Sequence, residues 1–210
     1  MKNLFLIRHG QSMQNTGENN KELLPDHKVY LTEKGKIQAF KAAICLKDYC
    51  LVKGIDLSTA KLYVSPYQRT RETADIINEL LKISNVQEDY LLIEHQYGLF
   101  SDRKWTDNKK FYPDEFEYYD KFYKNEGKFY VKFPMGESPM DVAIRTRMFL
   151  QELKKQDIDN VFIVSHGTTL KTIVMNIFGY SPEWYANTPT FNNCEVRVID
   201  EDKKMKTLRK

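Results

Sequence analysis

Two patterns of apolar residues occur along this chain, and they predict strands and helices respectively. Continuous apolar runs at residues 4–7 and 161–164 are typical of strands that are buried on both faces. Residues 61–64 predict another strand, and a further one is expected between residues 86 and 93. These four segments are the candidates for the centre of a sheet.

Apolar residues at helical spacing follow the predicted strands. Thr32 can cap the first of these helices. The face that this helix is expected to bury carries Ile37, Phe40, Ala43, Ile44 and Leu46. Ser65 and Ser138, each followed by proline, predict the starts of two further helices. A helix over residues 170–178 is expected to end at Gly179.

The alternation of strands and helices predicts an α/β fold with three layers, α/β/α. A mostly parallel sheet is expected to carry helices on both faces. Near the end of the chain, apolar residues at 195–199 and 205–208 flank a charged turn. These two segments predict an antiparallel hairpin at one edge of the sheet.

The pattern changes between residues 97 and 133, which hold 13 of the chain's 27 aromatic residues. A connection of this length is expected to have a function or a structure of its own. We therefore predict a helical cap inserted over the sheet at about residues 97–135. An aromatic minicore with a charged, solvated face is the alternative interpretation, and the two are compatible.

The composition excludes several classes of protein. The 210 residues are 41% hydrophobic, which is enough for the core of a single domain spanning residues 1–210. The net charge of +3 is too small for a dedicated nucleic-acid binder, and residues 203–210 contribute five basic side chains and no acidic one. The run at 4–7 is too short for a secretion signal, and no stretch approaches the ~20 apolar residues of a membrane span.

These features lead us to expect a cytoplasmic protein that binds neither nucleic acid nor a membrane. The cysteines at positions 45, 50 and 194 lack the spacing of metal ligands and are expected to be reduced, apolar side chains. The sequence is compatible with a monomer and with a homodimer.

Residues with candidate catalytic or binding side chains follow the ends of the predicted strands. Arg8, His9 and Gly10 follow the first strand, and His166 and Gly167 follow the strand at 161–164. Ligands of open α/β sheets bind beyond the carboxyl ends of the strands, so the two histidines could face one ligand. A lone buried histidine is more often structural, but two histidines at equivalent strand ends favour a site.

A third strand end adds Arg69 in the first turn of a helix, where the amide groups and the dipole favour an anion. Arg71 is expected to pair with Glu72 or Glu33 on the surface instead. Because the guanidinium groups of Arg8 and Arg69 match phosphate oxygens, the predicted ligand is a phosphoryl group that is held without a metal.

This set of residues also suggests a mechanism. A histidine can attack phosphorus and form a covalent intermediate, while the arginines and the second histidine stabilise the charge on the equatorial oxygens. Glu94, which is predicted to end the third strand, is a candidate for the acid that protonates the leaving oxygen. From the residues alone, Glu94 is only one carboxylate among 29.

An ordered set of motifs resembles the histidine phosphatase superfamily, which has a phosphoglycerate-mutase-like fold. Residues 6–12 read LIRHGQS and are followed by Asn15. The supporting motifs are LTEKG at 31–35, SPYQRT at 65–70, EHQYG at 94–98, GES at 136–138 and VSHG at 164–167. The matches follow the family's order from residue 4 to about 198, and this order is far more specific than the RHG triplet alone.

The resemblance implies a role for individual residues. His9 is the implied phosphorylated nucleophile, Glu94 is the implied proton donor, and Arg8, Arg69 and His166 form the implied phosphate pocket. Asn15, Tyr97, Gly167 and Thr168 are the implied further residues of the phosphate or substrate site. The family needs no metal and no organic cofactor, so we expect none, and we expect a small phosphorylated substrate.

Two features of the motifs distinguish a phosphatase from a mutase. Mutases of this family usually carry Trp before the Asn of the first motif and an insert rich in Arg and Pro after the acid, whereas Gln14 precedes Asn15 here and the insert is absent. Residues 127–138 resemble a phosphatase subgroup of microbes, fungi and plants. A phosphomonoesterase is therefore favoured. The alternatives are a 2,3-bisphosphoglycerate-dependent phosphoglycerate mutase, a non-catalytic phosphate-binding module and, least of all, a metal-dependent hydrolase.

Overall fold

A computed structural model describes residues 1–16, 24–101 and 105–210. These residues form one six-stranded sheet with the strand order β3-β2-β4-β1-β5-β6. The strands are β1 (Asn3–Arg8), β2 (Lys61–Val64), β3 (Asn85–Glu88), β4 (Asn160–Ser165), β5 (Val196–Asp200) and β6 (Met205–Arg209). The first four strands are parallel, whereas β5 and β6 run antiparallel at one edge. The mostly parallel sheet and the edge hairpin are thus confirmed.

Eight α-helices accompany the sheet within the described residues. They are α1 (Met13–Thr16), α2 (Glu33–Lys53), α3 (Gln68–Leu81), α4 (Trp105–Phe111), α5 (Pro113–Glu126), α6 (Pro139–Lys154), α7 (Gly167–Phe178) and α8 (Pro182–Asn187). The predicted caps at Thr32 and Ser138 are confirmed, because each side chain accepts a hydrogen bond from a backbone N–H in the first turn. Gly179 ends α7 in the left-handed conformation, as expected.

Alternate residues of the strands point to opposite faces of the sheet and build two separate cores. Phe5 and Ile7 of β1 pack with buried residues of α2 and α3. Leu4 and Leu6 pack with buried residues of α6 and α7 on the other face. The prediction of a three-layer α/β/α fold is therefore correct.

Two predicted boundaries are wrong for physical reasons. The third strand ends at Glu88 and is followed by a 3-10 turn over Tyr90–Leu92, so Glu94 does not end a strand. The helix after β2 begins at Gln68 rather than at Pro66. The hydroxyl of Ser65 lies 2.8 Å from Nε2 of His166, and this contact takes the group that would have capped the helix.

The buried face of α2 also differs from the predicted one. Ala43 and Leu46 are buried as expected, together with Ala39 and Ala42, so this helix lies against the sheet through mostly small residues. Ile37, Phe40 and Ile44 are exposed instead. The larger apolar residues of α2 therefore lie on its outer face.

Residues 97–135, called the cap segment below, contain a cluster of their own. Phe100, Tyr119, Val131 and Phe133 are buried together, and the rings of Tyr119 and Phe133 stack at 4.8 Å. The aromatic minicore is therefore confirmed. No helix in the described ranges is long and apolar enough to cross a membrane, and all three cysteines are free thiols.

Candidate active site

The carboxyl ends of β1 and β4 bring the two predicted histidines together. Arg8 pairs with Ser165 in the parallel ladder, so the residues after each strand emerge side by side. The rings of His9 and His166 lie 5.2 Å apart at 64°. The turn after His9 passes very close to the start of α2, because a Cβ on Gly10 would stand 2.4 Å from the carbonyl oxygen of Gly35. Glycine at position 10 therefore permits this approach.

His9 is held in one tautomer. Its Nδ1 lies 2.7 Å from the carbonyl oxygen of Gly10, which can only accept a hydrogen bond, so we assign the proton of the neutral ring to Nδ1. Nε2 then carries the lone pair. Burial, reinforced by the positive charges of Arg69 and Arg8, holds the pKa of His9 well below its usual 6.5. The ring is therefore neutral at pH 7, as a nucleophile must be.

His166 is completely buried beside His9. Its Nε2 pairs with the hydroxyl of Ser65 at 2.8 Å, and its ring packs edge-on against Tyr67 at 5.1 Å. Burial is the main reason why the pKa of His166 lies well below 6.5, and the charges of Arg69 and the other nearby arginines add to it. His166 is thus a neutral imidazole whose other nitrogen, Nδ1, remains available.

The two arginines are anchored through their outer nitrogens. Nη1 of Arg8 donates to the carbonyl of Phe191 at 2.6 Å. Arg69 is only 2% exposed, and its Nη1 donates to the carbonyl of Asp26 at 2.7 Å and to the carboxylate of the same residue at 3.1 Å. Burial lowers the pKa of Arg8, and the negative charge of Glu94 opposes this shift. The carboxylate of Glu94 thus acts on the same site.

The buried polar atoms without a partner show where a ligand could bind. In the described part of the chain, these atoms are Nε of Arg8, Nε of Arg69, Nδ1 of His166 and the side-chain amide of Asn108. An unpaired buried polar group costs about 1–3 kcal/mol, so such groups call for an explanation. Three of the four residues are the predicted phosphate ligands. We call Arg8, His9, Arg69 and His166 the phosphate pocket.

Glu94 lies close enough to this pocket for its charge to raise the pKa of Arg8 against the effect of burial. One oxygen of its carboxylate accepts from the backbone N–H of His95 at 2.9 Å and from the hydroxyl of Thr169 at 3.4 Å. Thr169 also donates to the carbonyl of Ile93 at 2.6 Å, which ties the chain before Glu94 to α7. The side chain is half-buried, so one oxygen is fixed and the other is free of these two contacts.

The structure places the remaining predicted site residues around the pocket. The amide oxygen of exposed Asn15 accepts from Asn193 at 3.1 Å, and Asn193 also donates to the carbonyl of His9. The Cβ position of Gly167 lies 3.6 Å from Nε of Arg8. Thr168 lies beside Tyr97 and Tyr185, because all three line one cavity, described below. Burial is the main reason why the pKa values of both tyrosines are raised, and the negative charge of Glu94 adds to it.

Several supporting residues were not predicted from the sequence. Glu137 pairs with Arg145 at 2.9 Å and accepts from the backbone of Gln96 at 3.0 Å, so it connects the residues after Glu94 to α6. The contacts of Ser65 and Asp26 described above were also missed. Only the acidic or hydroxyl character of these side chains could have indicated them, because their partners are distant in sequence. Arg71 pairs with neither predicted acid: it donates two hydrogen bonds to Glu88, at 2.6 and 2.7 Å.

A cavity of about 220 Å³, which we call the cap cavity, reaches Thr190, and Thr190 lies beside Gly167 as Nε of Arg8 does. Its aromatic walls are Tyr97, Tyr119, Tyr123, Phe133 and Tyr185. Thr168 lines it as well, together with two lysines, Lys128 and Lys171. A larger cavity of about 550 Å³ lies near Leu4 and Ile199, at the other end of the sheet from His9, and contains no residue of the phosphate pocket.

No group of three or more potential metal ligands is found within residues 1–16, 24–101 and 105–210. The phosphate pocket instead combines two guanidinium groups with two neutral imidazoles. This arrangement can bind a tetrahedral oxyanion and can present Nε2 of His9 to its central atom.

Comparison with known proteins identifies the family of this chain. The profile of the histidine phosphatase superfamily (branch 1) matches residues 4–210. The phosphoglycerate mutase-like protein AT74 of Arabidopsis thaliana is 31% identical over 217 residues, which cover 95% of this chain and 65% of that protein. The chain thus spans slightly less than two thirds of this relative. A candidate phosphoserine phosphatase of Hydrogenobacter thermophilus is 28% identical over 100% of this chain and 96% of its own length.

Among solved structures, the alpha-ribazole phosphatase from Shigella flexneri matches with a TM-score of 0.76. The two sequences are 20% identical, and the match covers 98% of this chain and 94% of that one. At this level of identity, the likeness shows a common fold alone.

Proposed function

Because this chain belongs to the histidine phosphatase superfamily, we propose that it is a phosphomonoesterase that works through a phosphohistidine on His9. One observation carries the proposal. A buried, neutral His9 with its proton fixed on Nδ1 lies among three buried nitrogens that have no protein partner, on Arg8, Arg69 and His166. This arrangement supports His9 as the nucleophile and the other three residues as the anion ligands.

In the first step, the lone pair of Nε2 on His9 attacks phosphorus. The P–N bond forms as the bond between phosphorus and the ester oxygen breaks, and Glu94 gives its proton to the departing oxygen. The transition state spreads negative charge over the equatorial oxygens, which Nε of both arginines and Nδ1 of His166 stabilise. The carbonyl of Gly10 keeps the ring of His9 oriented throughout.

In the second step, water attacks the phosphorus of phosphohistidine. The carboxylate of Glu94 takes the proton of this water, the P–N bond breaks, and His9 returns to its neutral form with its proton still on Nδ1. Inorganic phosphate then leaves the pocket. Glu94 thus acts as the acid first and as the base afterwards, which is required when the same face of the phosphoryl group exchanges an alcohol for water.

Hydrolysis of a phosphate ester is favoured over the phosphoryl transfer of a phosphoglycerate mutase. The candidate phosphoserine phosphatase aligns with this chain over its whole length, which supports a phosphatase. The likeness to a phosphoglycerate mutase-like protein supports the mutase as the second candidate. Gln14, in place of the usual Trp before Asn15, weighs against a mutase.

A panel of phosphate esters tests this proposal. The purified protein should release inorganic phosphate from several monoesters, and 2,3-bisphosphoglycerate should not be needed for any turnover. Conversion of 3-phosphoglycerate to 2-phosphoglycerate that depends on the bisphosphate would establish the mutase instead. Binding of phosphate with no turnover of any ester would point to a phosphate-binding module.

A further inference from the structure

Lys171 is a buried cation with no role in the proposed mechanism. It lies on α7, five residues after His166, and is only 2% exposed. Its ammonium group donates to the carbonyls of Tyr185 and Thr188 and lies 4.1 Å from the centre of the Tyr185 ring. A lysine is almost never fully buried unless it is paired, so this position calls for an explanation.

No acidic partner compensates this charge in the described part of the chain. Lys171 forms no ion pair there, and none of the residues that line the cap cavity is an aspartate or a glutamate. Burial, reinforced by the charge of Lys128, lowers the pKa of Lys171 to about 8. The ammonium form therefore still predominates at pH 7. The two carbonyls belong to the C-terminal end of α8 and, with the ring of Tyr185, stabilise the ammonium in part, but none of these partners carries a full negative charge.

The cap cavity lies beside the phosphate pocket. Thr190 lines the cavity, and both its Cβ and Nε of Arg8 lie within 3.6 Å of the position that a Cβ on Gly167 would take. An attack by His9 directs the leaving group away from the ring, toward the residue that protonates its oxygen. The charge of Glu94 acts on Tyr97 and Tyr185, and both of these rings line the cavity. Thr168, two residues after His166 in the chain, lines the cavity together with both tyrosines. A group attached to the leaving oxygen therefore enters the space between these rings.

We propose that the cap cavity binds the alcohol part of the substrate and that Lys171 binds a negatively charged group, a carboxylate or a second phosphate, on that alcohol. This inference rests on the proposed function, because it assigns the substrate class of the same site. Lys128 lies at the exposed side of the same cavity and adds positive charge. The phosphate pocket would then hold one anionic end of the substrate and the cap cavity the other.

The walls and the volume of the cavity limit the substrate further. Five of its side chains are aromatic and offer flat, apolar surfaces to the part of the alcohol between its two ends. A volume of about 220 Å³ corresponds to roughly seven water molecules at ~30 Å³ each, so a small alcohol fits. The substrate class is a small, flat phosphomonoester with an anionic group opposite its ester oxygen.

Matched esters test the charge requirement. The esters 4-carboxyphenyl phosphate and 4-carbamoylphenyl phosphate have almost the same shape, and only the first has a charge on its leaving group. The wild-type protein should hydrolyse the carboxylate with a kcat/KM at least ~10-fold higher, since a charge-assisted hydrogen bond gives about that factor or more. The bisphosphate of hydroquinone shows whether a phosphate is preferred to a carboxylate. Equal kcat/KM values for acid and amide would overturn the inference.

Substitutions show which residue causes the preference for the carboxylate ester over the amide ester. Lys171→Met should reduce the preference for the acid to nearly 1, whereas Lys171→Arg should keep most of it. Lys128→Met, at an exposed position, should reduce it by only ~2-fold. Lys41→Met, on the exposed side of α2, is the matched control and should retain the full preference. A preference that survives in Lys171→Met would assign the charge recognition elsewhere and refute the role of Lys171.

A binding measurement separates this inference from the proposed function. Calorimetric titration of the wild-type protein with 4-hydroxybenzoate and with 4-hydroxybenzamide needs no turnover and no variant. The acid should bind at least ~10-fold more tightly. If none of the esters is hydrolysed but the acid binds preferentially, the proposed function fails while the anion site stands. If the esters are hydrolysed but neither product is preferred, the inference alone fails.

Discussion

The phosphate pocket and the cap cavity adjoin each other, yet they are built in different ways. The pocket residues follow the ends of buried parallel strands, and backbone carbonyls fix His9 and both arginines. The cap cavity takes its walls from side chains of the cap segment, α7 and α8, which are held by ring packing. One region is positioned by the backbone of the sheet, and the other by side chains from separate segments.

This difference suggests a division of work. In the proposed mechanism the pocket contacts only the phosphoryl group, which is the same in every monoester. The cavity is proposed to contact the part of the substrate that varies. Changes in the pocket should therefore affect all esters alike, whereas changes in the cavity should affect some esters more than others.

The largest effect is expected for His9→Ala. Without the nucleophile, the pocket can still bind phosphate through both arginines but cannot form the covalent intermediate. The value of kcat should fall by at least ~10⁴-fold for every ester, whatever its leaving group. Steady-state kinetics on the ester panel checks this expectation. His27→Ala is the matched control at an exposed position and should keep full activity; a similar loss there would show that the effect is not specific to His9.

A smaller, selective effect is expected for Glu94→Gln, at the border of the two regions. A poor leaving group needs a proton and a good one does not, so single-turnover cleavage of an alkyl phosphate should slow by ~10²–10³-fold. Cleavage of p-nitrophenyl phosphate should slow by less than ~10-fold. Glu79→Gln, on the exposed side of α3, should change neither rate. If both esters slow equally, Glu94 is not the acid.

A loss of stability is expected when the Glu137–Arg145 pair is broken, because Glu137 connects the residues after Glu94 to α6. Glu137→Gln leaves the largely buried guanidinium of Arg145 without its ionic partner, and the free energy of unfolding should fall by about 1–3 kcal/mol. Glu152→Gln breaks the exposed pair with Lys155 and should cost less than about 1 kcal/mol. Urea denaturation of both variants measures the difference. Equal losses would mean that the Glu137–Arg145 pair adds nothing beyond a surface contact.

A gradual effect, rather than the loss caused by a single substitution, is expected on stability as the pH changes. The folded protein keeps His9 and His166 neutral well below pH 6.5, whereas the unfolded chain binds protons on both near that pH. Stability should therefore fall as the pH drops below 6.5, by up to about 1.4 kcal/mol per pH unit for each histidine.

Urea denaturation at several pH values between about 7.5 and 5.5 tests this expectation. In His166→Asn the dependence on pH should be weaker, because one of the three buried histidines, His9, His95 and His166, is gone. His27→Asn should retain the wild-type dependence, since His27 is exposed. Identical slopes for wild type and His166→Asn would show that burial of His166 does not resist its protonation.

The sequence predicted the pocket better than the cavity for a physical reason. Arg8 and His9, and likewise His166 and Gly167, are neighbours in sequence, and the parallel sheet places both pairs at one edge. The walls of the cap cavity come from distant segments whose packing leaves no local signal. The apolar face of α2 was misassigned because small alanines, rather than Ile37 and Phe40, allow close packing against the sheet.

Supporting contacts were the hardest to predict. Glu137 pairs with Arg145 only because α6 lies beside the residues that follow Glu94, and Asp26 meets Arg69 across 43 residues. Each of these side chains is typical of the surface, and nothing nearby in sequence distinguishes it. The predicted strand up to residue 93 failed for a related reason. The chain leaves the edge of the sheet at Glu88, and every residue of β3 is exposed.

Direct trapping of the intermediate on His9 is the most decisive measurement. After rapid mixing with substrate and an alkaline quench, peptide mass spectrometry should find one phosphoryl group on His9 that is stable to alkali and lost in acid. With p-nitrophenyl phosphate, whose leaving group needs no proton, the Glu94→Gln variant should accumulate more of it, because removal by water is slowed. A protein that turns over its substrate without phosphate on His9, or with phosphate on His166 instead, would contradict the proposed mechanism.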